Sequence, residues 1–160
     1  MDSHYKRQAA KDYLLQVKYM AERIEEKQRH VEHLQQRLLY PSFNYDGARV
    51  KGSKRHDSFE DKTIAYVDKQ MQLDELKLKY EIKRFDALVK VLELNSEDSL
   101  HIQLLYNVYF KFMTVQDAAK AMNLSRGYVE HLHPDALIQF YDQYLSEPEG
   151  NAGDPGQVRQ

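Results

Sequence analysis

The residues best suited to chemistry in this chain lie in one short run near its C-terminal end. Residues 114–132 read TVQDAAKAMNLSRGYVEHL. The guanidinium of Arg126 can pair bidentately with a guanine edge, and Glu130 can accept from a cytosine amino group. One turn apart on a helix, the same two side chains can instead satisfy each other as an ion pair. His131 can hydrogen-bond a base or a backbone oxygen, and Tyr128 belongs to the same segment. Gly127 costs a helix about 1 kcal/mol relative to alanine, which leaves either close approach to a sugar-phosphate backbone or neutral drift as its explanation. Thr114 and Gln116 at one helix start, and Ser125 at the next, stand where free backbone N–H groups bind phosphate, with Lys111 and Lys120 close in sequence. For Thr114 and Ser125 helix capping is the simpler role.

These residues need two short helices joined by a tight turn. Thr114 can cap the first, with Asp117 three residues on to answer it. Ala118 and Ala119 are small enough for a second helix to cross closely. Asn123, between Met122 and Leu124, suits a left-handed turn position. Ser125 caps the second helix, on which Val129 and Leu132 face inward while Arg126, Gly127, Glu130 and His131 face outward. The pattern is a helix-turn-helix, a unit that presents its second helix to the DNA major groove. Leu100, Leu104, Leu105, Val108, Tyr109 and Phe112 form the apolar face of a supporting helix before it. After it, Pro134 is read as a helix break or restart, and Ala136, Leu137, Phe140, Tyr141 and Leu145 as a closing helix.

Two long helices precede this module. From about residue 5 to 39, Ala10, Val17, Ile24, Val31 and Leu38 repeat every seven, with Tyr13, Met20 and Leu34 at the partner positions. Tyr40-Pro41 ends that helix. Ser58 with Asp61 starts the next, which extends to about residue 94. There Ile64, Met71, Leu78, Phe85 and Leu92 repeat every seven, Val67 and Leu88 add to the seam, Ile82 and Val89 widen it toward the C-terminal half, and Asp74 and Glu81 interrupt it. Two helices of similar length joined by a bounded loop pack most simply as an antiparallel coiled-coil hairpin. Its outer flanks stay apolar, so docking of the C-terminal module or a homodimer would cover them. The expected fold is all-α: a helical hairpin over 5–95 with a basic loop at 40–57, a helix-turn-helix domain over 96–145, and a disordered tail over 146–160.

Charge divides unevenly. Residues 1–56 hold 12 Lys/Arg against 7 Asp/Glu, a net +5; residues 57–98 hold 7 against 11, a net −4; residues 99–160 hold 4 against 7, a net −3. Phosphate neutralisation supplies most non-specific DNA affinity, so an acidic C-terminal third argues against tight binding there. The loop residues Arg49, Lys51, Lys54 and Arg55, with Gly47, Gly52 and Ser53, form the densest basic patch, open to a duplex backbone or to an acidic surface of RNA polymerase or a sigma factor.

Other classes find little support. There is no cysteine, hence no disulfide framework and no thiolate zinc site. His30 and His33 lie one turn apart, but no matched carboxylates accompany them, and no metal or other cofactor is expected. No Gly-rich phosphate loop, ordered nucleophile or paired acids point to an enzyme. No apolar run approaches membrane length and the N-terminus is not a signal peptide, so a cytoplasmic protein is the expectation.

The order of parts adds a resemblance. A long helical hairpin, a Val-x-Gly-Ser element in the loop (Val50 to Ser53), the helix LLYNVYF (104–110) and the run TVQDAAKAMNLSRGYVEHLHPDAL together resemble phage-encoded transcriptional regulators of the ArpU/RinA type. The match covers about residues 8–145. Its most specific piece is Leu124-Ser125-Arg126, Tyr128-Val129, Leu132-His133 and Ala136-Leu137. In that family the C-terminal part is similar to region 4 of sigma factors. The resemblance implies binding to double-stranded promoter DNA and activation of late genes such as packaging and lysis functions in a bacterial host. A sigma-like adaptor or inhibitor that binds RNA polymerase without reading DNA is the alternative, favoured by the acidic C-terminal third. A small terminase subunit combines similar parts, but commonly in the opposite order.

Overall fold

The computed structural model describes residues 2–40, 58–96 and 98–147, and every regular element among them is helical. Five helices follow in order: α1 (Ser3–Leu39), α2 (Phe59–Leu92), α3 (Ser99–Tyr109), α4 (Val115–Ala121) and α5 (Arg126–Tyr144). The fold is all-α, as the periodicities require. The basic loop residues Arg49, Lys51, Lys54 and Arg55, and the tail beyond residue 147, lie outside the described residues.

Local chemistry sets the helix starts. Ser58 and Asp61 form a reciprocal box: the Asp61 N–H donates to the Ser58 hydroxyl (3.1 Å) and the Ser58 N–H to the Asp61 carboxylate (3.3 Å). Asp98 caps α3 by accepting from the Leu100 N–H at 2.9 Å. Thr114 caps α4 through the Asp117 N–H (3.1 Å), and Ser125 caps α5 through the Tyr128 N–H (3.3 Å). Each hydroxyl or carboxylate satisfies a donor that the helix itself leaves free.

The chain divides into two compact units: residues 1–15 with 87–160, and residues 16–86. The boundary therefore falls within the two long helices. It does not coincide with the end of the hairpin near residue 95.

In the unit of residues 16–86, α1 buries the expected seam. Val17 and Val31 are buried, and Met20, Ile24 and Leu34 are half-buried. On α2 the expected seam is overturned. Ile64, Val67, Met71, Leu78, Ile82 and Phe85 are all exposed, while Leu73 is only 2% exposed and Tyr66, Gln70, Leu76 and Tyr80 are half-buried. The covered repeat is Tyr66, Leu73 and Tyr80, of which Leu73 is fully buried. Its partner positions hold Gln70, Lys77 and Arg84, each half-buried, and long side chains of this kind can cover apolar surface with their stems while their heads stay wet. α2 thus carries two heptad stripes on different faces, and the one richer in aliphatic residues faces outward.

The other unit gathers α3, α4 and α5 with the first turns of α1 and the last of α2. Leu104, Ala118, Ala119, Val129 and Leu132 form its helix-turn-helix core, with Leu100, Val108, Met113, Val115, Met122 and Leu124 packed against it. Leu105, Tyr109, Ala136, Leu137, Phe140 and Tyr141 extend the buried set. Lys90 near the end of α2 donates to the Tyr13 hydroxyl near the start of α1 at 2.9 Å, and its ammonium lies 5.0 Å from the ring centre.

The break expected at Pro134 is absent: α5 is one 19-residue helix with Pro134 inside it. Proline removes a single intrahelical bond, the one Glu130 would accept. Buried side chains on both sides, Val129 and Leu132 before it and Ala136, Leu137 and Phe140 after it, hold the helix through the gap.

Candidate nucleic-acid interface

Between α4 and α5 the backbone turns at Asn123, whose φ is +55°. Asparagine accepts this left-handed conformation more readily than most residues. The Leu124 N–H reaches back to the Ala119 carbonyl at 2.9 Å, closing the turn. Ala118 and Ala119 are buried, so α5 can cross α4 closely, and Val129 and Leu132 lock the crossing from the other side.

What this leaves outside is the N-terminal half of α5. Ser125, Arg126, Gly127, Tyr128, Glu130 and His131 are exposed, as are Thr114, Gln116 and Lys120 on α4. All nine residues read from the sequence as DNA-facing are therefore exposed. The Thr114 and Ser125 hydroxyls are already engaged as caps. A Cβ built on Gly127 meets nothing within 4 Å, so packing inside the chain does not demand glycine there. The Arg126 Nε donates to the Glu130 carboxylate at 2.7 Å, with the arginine side chain 70% exposed. Of the two roles open to this pair, the ion pair is the one realised in the free chain.

Sequence reasoning missed the α1 residues His4, Arg7, Gln8 and Lys11, which meet α5. Arg126, Glu130, Pro134, Leu137 and Tyr141 follow one another along α5 at three- and four-residue steps, so they share a face. The C-terminal part of that face is covered by the first turns of α1. Tyr5 meets Tyr141 edge-on at 6.0 Å, and Lys6 forms an ion pair with Asp142 at 2.7 Å. Where the cover begins, His4, Arg7, Gln8 and Lys11 line a cleft of about 230 Å³ with His133, Pro134 and Leu137. The cations of α1 thus border the face that Arg126 and Glu130 continue. The net positive charge of the first third was the available signal; that it meets α5 rests on packing between residues more than a hundred positions apart.

Beneath this face, His133 Nε2 and the Tyr109 hydroxyl share a hydrogen bond of 3.0 Å, with their rings stacked at 5.8 Å. Burial, and secondarily the Lys11 ammonium, lower the His133 pKa to about 4. Burial raises the Tyr109 phenol well above its usual range. Both groups are neutral near pH 7, so they act as a packed polar pair and add no charge to the surface. His101 is likewise buried, its Nδ1 within 2.8 Å of the Ser96 hydroxyl and 2.9 Å of the Gln139 amide oxygen.

No group of three or more His, Asp or Glu side chains among the described residues is placed to hold a metal ion. Among the same residues, no helix is long and apolar enough to cross a membrane. Compared with protein-family models, with curated proteins and with solved structures, the chain matches none.

Proposed function

We propose that this protein is a DNA-binding transcriptional regulator that reads a promoter-region duplex with the N-terminal half of α5. In the reading that the ArpU/RinA resemblance suggests, it activates phage late genes in the bacterial cytoplasm. The observation that carries the proposal is the helix-turn-helix geometry: a short α4 and a longer α5 cross over a small-residue core, and the leading turn and a half of α5 is left uncovered. Arg126, Gly127, Glu130 and His131 would enter the groove, as the second helix of such a unit does.

The low positive charge of α4 and α5 is partly offset by the first turns of α1. Arg7 and Lys11 flank the cleft beside Pro134 and could meet phosphates next to the groove contacts. DNA would also compete for Arg126. Its partner Glu130 is exposed, and a surface pair of this kind holds by about 1 kcal/mol or less, so a guanine edge or phosphate can displace it.

A mobility-shift series at low salt, against upstream regions of phage late genes and against a random-sequence pool, tests the proposal. Retarded bands that weaken steeply with salt and vanish in Arg126→Ala are expected. A folded protein that shifts no duplex at low salt would refute it. The Arg126–Glu130 ion pair favours the second reading, a polymerase-binding adaptor, since it neutralises the one cation on the leading turn of α5. Capture of RNA polymerase that is unaffected by Arg126→Ala and by removal of DNA would support that reading instead.

A further inference from the structure

We propose that the outward stripe of α2 is the docking surface for a second copy of this chain, helix against helix. The proposal rests on this face alone and not on DNA binding.

Ile64, Val67, Met71, Leu78, Ile82 and Phe85 are each between 46% and 69% exposed. Ile64, Met71, Leu78 and Phe85 are spaced by sevens, and Val67 and Ile82 fill in at steps of three and four. The residues therefore make two apolar blocks in line along one face of the helix, 64–71 and 78–85, separated by the turn that holds Asp74 and Glu75. None of them contributes to the buried seam of α2, which runs through Leu73 on another face.

Together the six side chains leave roughly 650 Å² uncovered, against about 800 Å² contributed by each partner of a standard stable interface. The largest apolar patch on a typical monomer is about 300–600 Å² and is often itself functional. The band is thus somewhat smaller than one half of a standard dimer interface, and its polar flanks would supply the remainder. A seven-residue repeat also matches itself in period. Two copies of the band related by a two-fold axis present the same patch to each other, and knobs from one repeat enter the holes of the other. Between the two blocks, Asp74 is held by Gln70 at 3.0 Å and Glu75 by Lys79 at 3.1 Å, so these charges have partners within the chain.

The test is the mass of the full chain in solution by light scattering over a dilution series, with two variants. Met71→Lys with Leu78→Lys places charges in the band; Met71→Gln with Leu78→Gln removes its apolar surface while keeping good helix formers. Helical circular dichroism is recorded for each. We expect wild type at twice the chain mass of 19.0 kDa. Both variants should be helical, with dimerisation weakened roughly 100-fold or more. A wild-type chain that stays monomeric throughout overturns the proposal, leaving the band to a different partner. So does a helical variant that dimerises as tightly as wild type. Loss of helix in both variants overturns it too, because the band would then belong to the chain's own core.

Discussion

Replacing His133 with glutamine isolates a single titration that the fold suppresses. The unfolded chain protonates this imidazole near the ordinary value of 6.5, whereas the folded chain resists until about pH 4, because burial and the Lys11 ammonium disfavour the charged ring. Between those values the unfolded state binds more protons than the folded state. Stability is therefore complete above pH 6.5 and is lost as pH falls toward 4. The slope is about 1.4 kcal/mol per pH unit, and the full loss is on the order of 3 kcal/mol. Against a typical domain stability of about 5–15 kcal/mol, this is a substantial share. Glutamine can still hydrogen-bond the Tyr109 hydroxyl but does not titrate, so the carboxylates common to both proteins cancel in the comparison. Urea unfolding followed by helical circular dichroism, at several values between about pH 7 and about pH 4.5, gives the two stability curves. The wild-type curve should fall away from the variant's as pH drops. Parallel curves across that window would show that His133 is not held neutral by its surroundings, and the account of its packing against Tyr109 would be wrong.

Leu104 lies fully buried at the centre of the helix-turn-helix core, so Leu104→Ala should cost about 2–5 kcal/mol in chemical unfolding. Gly127→Ala should stabilise the free protein by about 1 kcal/mol, because the added methyl meets open space; if the same change also weakens DNA binding, a sugar-phosphate backbone approaches there. Asn123→Val should destabilise by about 1–2 kcal/mol, since a β-branched residue tolerates a φ of +55° poorly. Glu130→Gln should strengthen binding to duplex DNA in a mobility shift by freeing the Arg126 guanidinium; unchanged or weaker binding would mean that Glu130 itself contacts the bases.

The helix starts and the turn were legible because their causes are local. Ser58, Thr114 and Ser125 cap the helices they precede, and Asn123 takes the left-handed position, through contacts within five residues. The seam of α1 was equally legible, because that helix has one apolar face and the rest is charged. α2 was misread because it has two. Periodicity reports how apolar a face is, not which face a partner helix covers. The stripe with more aliphatic residues reads as the interior, whereas the covered one includes half-buried tyrosines and long cations. Pro134 was misread for a related reason: its local cost is real, but the burial of residues on both sides outweighs it.

By itself, then, the sequence determined an all-α chain, its helix starts, the turn at Asn123 and the outward set on α5, since capping, backbone preference and a single apolar period act over a few residues. Tertiary packing alone decided which stripe of α2 is buried, that α5 continues through Pro134, and that the cations of α1 border the face of α5. Each of those outcomes is a choice between alternatives of similar local energy, made by side chains distant in the chain that compete to cover the same surface.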